Sequence, residues 1–209
     1  HKEMLSKRFS TPVHECGYVS RFREVHHLLS LKTSGELNYG CTISVPWVGE
    51  HTEDFLELLA QTLLQVGSGY GPFLIFLGDT VSGPLRARFE SIDFCTVESF
   101  GTGYLRALCE SRAAIIFGGY NSLVDVLATE IPALVVLREM NDREQSVHAE
   151  SLAALLGHGL IPVQENNSTV PELHDKLTAL MGDERQARPA HHVNLDGAEH
   201  GAHALVKLL

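Results

Sequence analysis

The stretch Ala113-Ala114-Ile115-Ile116-Phe117-Gly118-Gly119-Tyr120-Asn121-Ser122-Leu123-Val124-Asp125-Val126-Leu127 holds an apolar strand, a glycine pair and a helix start in immediate succession. An uninterrupted apolar run bounded by glycine is the signature of a strand buried on both faces. The helix that follows at once, with no connecting loop to speak of, is the βα step of a parallel sheet.

The same alternation extends in both directions. Upstream, Cys41 to Val45 forms a short apolar run, and Phe55, Leu58, Leu59, Leu63 and Val66 recur at helical spacing behind Thr52, a candidate cap. Gly67 to Gly71 ends that helix, and Pro72 to Leu77 reads as a second buried strand. A weaker strand is expected near Phe94 to Val97, then a helix from about Tyr104 to Ser111.

Downstream, a helix over Leu123 to Ala128 leads to Pro132 and a strand at Ala133 to Leu137. Asp142 with Gln145 resembles a capping box opening a helix that stops at Gly157. A strand at Leu160 to Val163 follows, then a helix behind Thr169 and Glu172 with Leu173, Leu177 and Leu180 as its buried stripe. A last helix from Asp196 is expected to bury Ala202, Leu205, Val206 and Leu209. The fold class is therefore α/β, a doubly wound parallel sheet with helices on both faces, in one domain spanning residues 1–209. In such sheets ligands sit at the carboxyl ends of the strands.

Composition narrows the ligand. Twenty-six acidic against 16 basic residues give a formal net charge of -10, which argues against nucleic acid and against anionic membranes as partners. No apolar run approaches the roughly 20 residues that cross a bilayer. The four cysteines, at 16, 41, 95 and 109, contain no CxxC pair and are expected to be reduced and inert, as in a cytoplasmic protein. The twelve histidines include His200 and His203 on one helical face, but no further ligand falls at matching spacing, so no metal is expected. The chain opens on His1 rather than methionine and is expected to be part of a longer protein.

Gly118 and Gly119 let a bulky ligand approach the main chain, and the helix start beyond them offers unpaired N–H groups suited to a diphosphate. Asn121 and Ser122 can cap that helix or donate to a phosphate oxygen. A tight turn with ordinary caps explains the same residues without a ligand. The segment is neither a GxGxxG fingerprint nor a P-loop.

The run Phe117 to Glu139, followed by Asn141 to Ile161, resembles the C-terminal domain of GT-B glycosyltransferases, the group that includes the lipid-linked N-acetylglucosaminyl transferase of peptidoglycan synthesis. The matching positions are Gly118, Gly119, Tyr120, Asn121, Ser122, Asp125, Leu127, Pro132, Glu144, Gln145 and Ala149. More loosely, Gly17-Tyr18-Val19 looks like that family's entry into its second domain.

The resemblance implies a domain binding a nucleoside diphosphate-sugar, of UDP type, for inverting transfer to an acceptor held by a preceding domain. The isolated chain would then be inactive. It implies that Asp125 holds the ribose hydroxyls, that Glu144 and Gln145 contact the donor sugar, and that Phe100 to Tyr104 clamps the base through its main chain. Neither a cofactor nor a DxD-bound metal is implied. Arg138 and Arg143 flank the sugar loop and could neutralise phosphate charge. At Ser44 to His51 the chain departs from the family's glycine-rich turn by inserting Pro46 and Trp47, which puts a phosphate contact there in doubt. A nucleotide-sugar epimerase or hydrolase of the same fold, and a non-catalytic binding module, are the competing readings.

Overall fold

A computed structural model describes residues 13–23, 37–101, 103–139, 144–182 and 192–207. Six strands form one parallel sheet: β1 (Tyr39–Val45), β2 (Phe73–Leu77), β3 (Cys95–Glu98), β4 (Ser111–Phe117), β5 (Ala133–Leu137) and β6 (Leu160–Gln164). Their order in the sheet is β3-β2-β1-β4-β5-β6. Seven helices occur among the described residues: α1 (Thr52–Val66), α2 (Gly83–Glu90), α3 (Gly103–Cys109), α4 (Tyr120–Thr129), α5 (Glu144–Leu156), α6 (Val170–Gly182) and α7 (Gly197–Val206).

Strands β2 and β5 are buried at every residue, which is why they read as unbroken apolar runs. Alternate residues feed two cores. Ile43, Ile75, Ile115 and Phe117 face one side with Phe55, Leu59, Leu63, Phe89, Leu173 and Leu177. Phe76, Ala114, Ile116 and Val135 face the other with Tyr104, Leu108, Leu123, Leu127 and Leu152. The doubly wound reading is thus correct, with α1, α2 and α6 on one face and α3, α4 and α5 on the other.

Three expectations need correction. Helix α2 stands where no element is expected, because only Leu85 and Phe89 of its eight residues are buried and so short a stripe shows no period. Ser111 belongs to β4 rather than to the helix before it, and its hydroxyl bonds Thr42 at 2.7 Å across the sheet. The apolar side expected for the last helix is not buried: Leu205 and Val206 are 66% and 67% exposed. Leu209 lies outside the described residues.

Helix α7 docks by its first turn instead. Gly197 donates its N–H to Tyr18 O at 2.9 Å, Tyr18 donates to Asn194 O at 2.8 Å, and Val19 bridges Asp196 antiparallel. A Cβ at Gly197 would lie 2.5 Å from the carbonyl oxygen of Gly17, so only glycine lets the two segments approach this closely. This clasp brings residues 17–21 over the carboxyl edge of the sheet.

Candidate functional site

The strand order reverses between β1 and β4, and a crevice opens outside their carboxyl ends at such a point. Here β4 runs into Gly118 and Gly119, and α4 begins at Tyr120. Gly119 is the N-cap, with extended φ of -70° and ψ of 149°, and among the described residues no side-chain cap bond is made at this end of the helix. The intrahelical ladder starts with Leu123 N–H donating to Gly119 O, so the N–H groups of Tyr120, Asn121 and Ser122 lie outside it. Gly119's own N–H bonds Phe117 O at 2.8 Å and is not part of that open set.

The two glycines differ in role. A Cβ at Gly118 would come 3.0 Å from Leu137 Cδ2, so its smallness fits the chain against β5. A Cβ at Gly119 would meet nothing within 4 Å among the described residues, which leaves open space there before the helix terminus. Asn121 and Ser122 sit inside the first helical turn and are not its caps.

Asn121, Val124 and Asp125 line a cavity of about 420 Å³, together with Val19, Ser20 and Arg21 from the clasped segment and Ala198 of α7. Asp125 is 1% exposed. The Arg21 Nε–H donates to its Oδ1 at 2.9 Å and an Arg21 Nη2 proton to its Oδ2, a bidentate ion pair. The ribose role that the resemblance implies for Asp125 thus meets a carboxylate whose two oxygens are already engaged. The ring of Tyr104 lies 5.8 Å from the guanidinium carbon.

Burial raises the Asp125 pKa more than Arg21 lowers it. A carboxylate whose folded pKa exceeds its unfolded value contributes most at low pH, and that contribution is lost as pH rises through the folded pKa. Asp125→Asn is therefore expected to be at least as stable as the parent at pH 7.5 in urea denaturation, with the difference shrinking towards pH 4.5. A clear loss of stability at pH 7.5 would contradict this.

The starts of α4 and α5 lie side by side. Tyr120 stacks near His148 with ring centroids 6.3 Å apart, and Tyr18 stacks on both. The Tyr18 hydroxyl pairs with His148 Nε2 at 2.5 Å, and Val19 N–H donates to the Tyr120 hydroxyl at 2.9 Å. Gln145, half-buried, stands one turn before His148 on α5. Glu144 opens α5, though its side chain, like Asp142, Arg143 and Thr102, lies outside what is described.

Arg138 does not face the crevice as a free cation. It is 7% exposed, pairs with Glu165 at 3.4 Å, and donates to Trp47 O at 2.5 Å. Its guanidinium lies 3.4 Å from the centroid of the Trp47 ring and 4.2 Å from that of Phe117. Glu165 also accepts from Thr52 Oγ1, which itself accepts from Gly49 N–H at 2.8 Å. The loop after β1 is thereby spent on internal bonds, and Trp47 packs on Arg138. Thr52 closes that loop instead of capping α1.

No group of three or more metal-binding side chains is found among the described residues. His200 Nδ1 lies 2.9 Å from Asn194 Nδ2. All four cysteines are free thiols, and burial pushes Cys95 up to about 12, a poor nucleophile at neutral pH. No described helix is long and apolar enough to cross a membrane.

Comparison with known proteins finds no matching family model and no similar curated protein. Solved structures do match. The MurG protein of Acinetobacter baumannii aligns with a TM-score of 0.66 at 20% identity, over 86% of this chain and 53% of that one. The glycosyltransferase VinC, solved in complex with DTDP, aligns at 0.54 and 17% identity, over 73% and 35%. Os79 from O. sativa, solved with UDP and deoxynivalenol-3-glucoside, aligns at 0.52 and 17% identity, over 76% and 36%. The chain spans about half or less of each. These likenesses establish the fold, a Rossmann-like α/β domain matching part of GT-B structures.

Proposed function

We propose that this chain is the donor-binding domain of a glycosyltransferase and holds a nucleoside diphosphate-sugar of UDP type in the crevice between β1 and β4. The observation that carries the reading is the uncapped start of α4 facing open space at Gly119. Helix N–H groups and roughly half a positive charge at that end suit a diphosphate. The DTDP and UDP in two neighbours support a pyrimidine base.

In the reaction the bond from the anomeric carbon to the diphosphate oxygen breaks, and its electron pair leaves with the diphosphate. An acceptor oxygen bonds to that carbon from the opposite face, inverting it, and gives its proton to a base. The N–H groups of Tyr120, Asn121 and Ser122 stabilise charge gathering on the leaving group, as an oxyanion hole does. Asn121 and Ser122 can add side-chain donors, while the family resemblance assigns Gln145 and Glu144 to the sugar hydroxyls. The base and the acceptor belong to a preceding domain of the same protein.

Calorimetric titration with UDP, DTDP, ADP and GDP tests the reading. UDP is expected to bind between about 1 μM and 1 mM, the usual range for substrates, and more tightly than the purine nucleotides. Failure of all four at millimolar concentration sinks it. Incubation with UDP-sugars and no acceptor is expected to give no turnover; free sugar or an epimer would indicate a hydrolase or epimerase.

A further inference from the structure

We infer that a second cavity, beside the Tyr18–Gly197 clasp, is a binding site for a small phosphate monoester, and that its occupant braces the clasp. The inference goes beyond the donor-domain reading and does not depend on it. The cavity has a volume of about 710 Å³, within the size range of small-molecule sites. His14, Glu15 and Cys16 line it from the segment that enters the clasp, and His200, His203 and Lys207 line it from α7. The three α7 residues stand at i, i+3 and i+7 and so share one face of the helix.

Among the described lining residues, three imidazoles and an ammonium meet a single carboxylate, in a chain whose formal net charge is -10. A local surplus of N–H donors on an acidic chain selects an anion. The tautomer of His200 adds to that surplus. Asn194 Oδ1 accepts from Asp196 N–H at 2.9 Å, so it is the amide nitrogen of Asn194 that lies 2.9 Å from His200 Nδ1 and donates to it. A neutral imidazole whose Nδ1 accepts carries its proton on Nε2. His200 is therefore an N–H donor even when uncharged. Single donors arriving from two sides suit the three terminal oxygens of a phosphate better than the two coplanar oxygens of a carboxylate.

The cavity is also tied to the clasp. Asn194 Nδ2 donates to Cys16 O at 3.3 Å, and Asn194 O accepts from Tyr18 N–H at 2.8 Å. An anion shared by His14 and Lys207 joins the two clasped segments a second time, next to these bonds. His14 and His203 border this cavity while Val19 and Ala198 border the one beside Asp125, so a single closure shapes both.

The test titrates the full 209-residue chain, carrying Gly119→Val so that no anion is counted at the start of α4, with glycerol 3-phosphate by calorimetry. One saturable site is expected, with a dissociation constant on the order of 1 mM. Adding Lys207→Gln or His203→Gln should weaken it about fivefold, the scale of one net hydrogen bond. Both side chains are exposed, so neither change disturbs a core. In the unsubstituted chain, the ligand at about ten times its dissociation constant should slow alkylation of Cys16 by iodoacetamide by about five- to tenfold, following the unoccupied fraction. Cys41 and Cys109 are fully buried and burial pushes Cys95 up to about 12, so this reaction reads Cys16. Hydrogen exchange at the Tyr18 and Gly197 amides should slow with it. Absence of binding at about 10 mM, affinity unchanged in both α7 variants, or undiminished alkylation assigns His203 and Lys207 to the negative end of α7 alone and overturns the inference. Succinate bound as tightly overturns the choice of phosphate, and unslowed amides overturn the bracing role. UDP enters none of these readouts, so failure here and failure of the proposed function are separate results.

Discussion

Replacing Gly119 by valine is expected to leave the chain folded and to weaken UDP binding by about a hundredfold or more, equivalent to roughly 2.7 kcal/mol. The backbone at this residue is extended, a conformation that β-branched side chains accept readily. A Cβ would touch nothing within 4 Å among the described residues, so the described fold has no reason to resist. The space it enters is the space through which a diphosphate must reach the N–H groups of α4. Thermal melting within a few degrees of the parent, with calorimetric binding lost, is the expected pair of results. Unchanged UDP affinity would show that the ligand sits elsewhere.

The second large effect is on stability. Arg138→Ala should destabilise the chain by about 3–5 kcal/mol, the range for breaking a buried ion pair from one side. The substitution strands Glu165, whose side chain is 3% exposed, with the Thr52 hydroxyl as its remaining side-chain partner among the described residues. It also removes the planar group packed between Trp47 and Phe117. Urea denaturation followed by tryptophan fluorescence reads both, since Trp47 is the single tryptophan. A loss below about 1 kcal/mol, the scale of an exposed pair, would refute this account.

The two predictions separate what the sequence showed from what it concealed. The strands were legible because burial on both faces leaves an unbroken apolar run, as in Ala133 to Leu137, and all-buried strands imply the layered fold. The glycine loop was legible because βα turn, glycine pair and helix start are contiguous. Helix α2 was hidden by having only two buried residues, and α7 misled because its apolar residues were not matched by anything to bury them. Arg21 could not be paired with Asp125 by any local pattern, since 104 residues separate them. Arg138 was singled out by its place in the loop, but its neutralising partner stands 27 residues on and its stacking partner belongs to another strand's loop. Local periodicity reports burial; it carries no information on which distant charge completes a site.

The clasp between Tyr18 and Gly197 bears on affinity in a way its few bonds do not suggest. Val19, Ser20, Arg21 and Ala198, four of the seven described residues around the cavity beside Asp125, sit on the two clasped segments. These segments meet across most of the chain's length, so holding them together costs loop-closure entropy. A nucleotide can bind in full only to the fraction of molecules in which they are closed, and its apparent dissociation constant rises as that fraction falls. By mass action the bound nucleotide holds them shut in return, and slower hydrogen exchange at the Tyr18 and Gly197 amides would record the linkage.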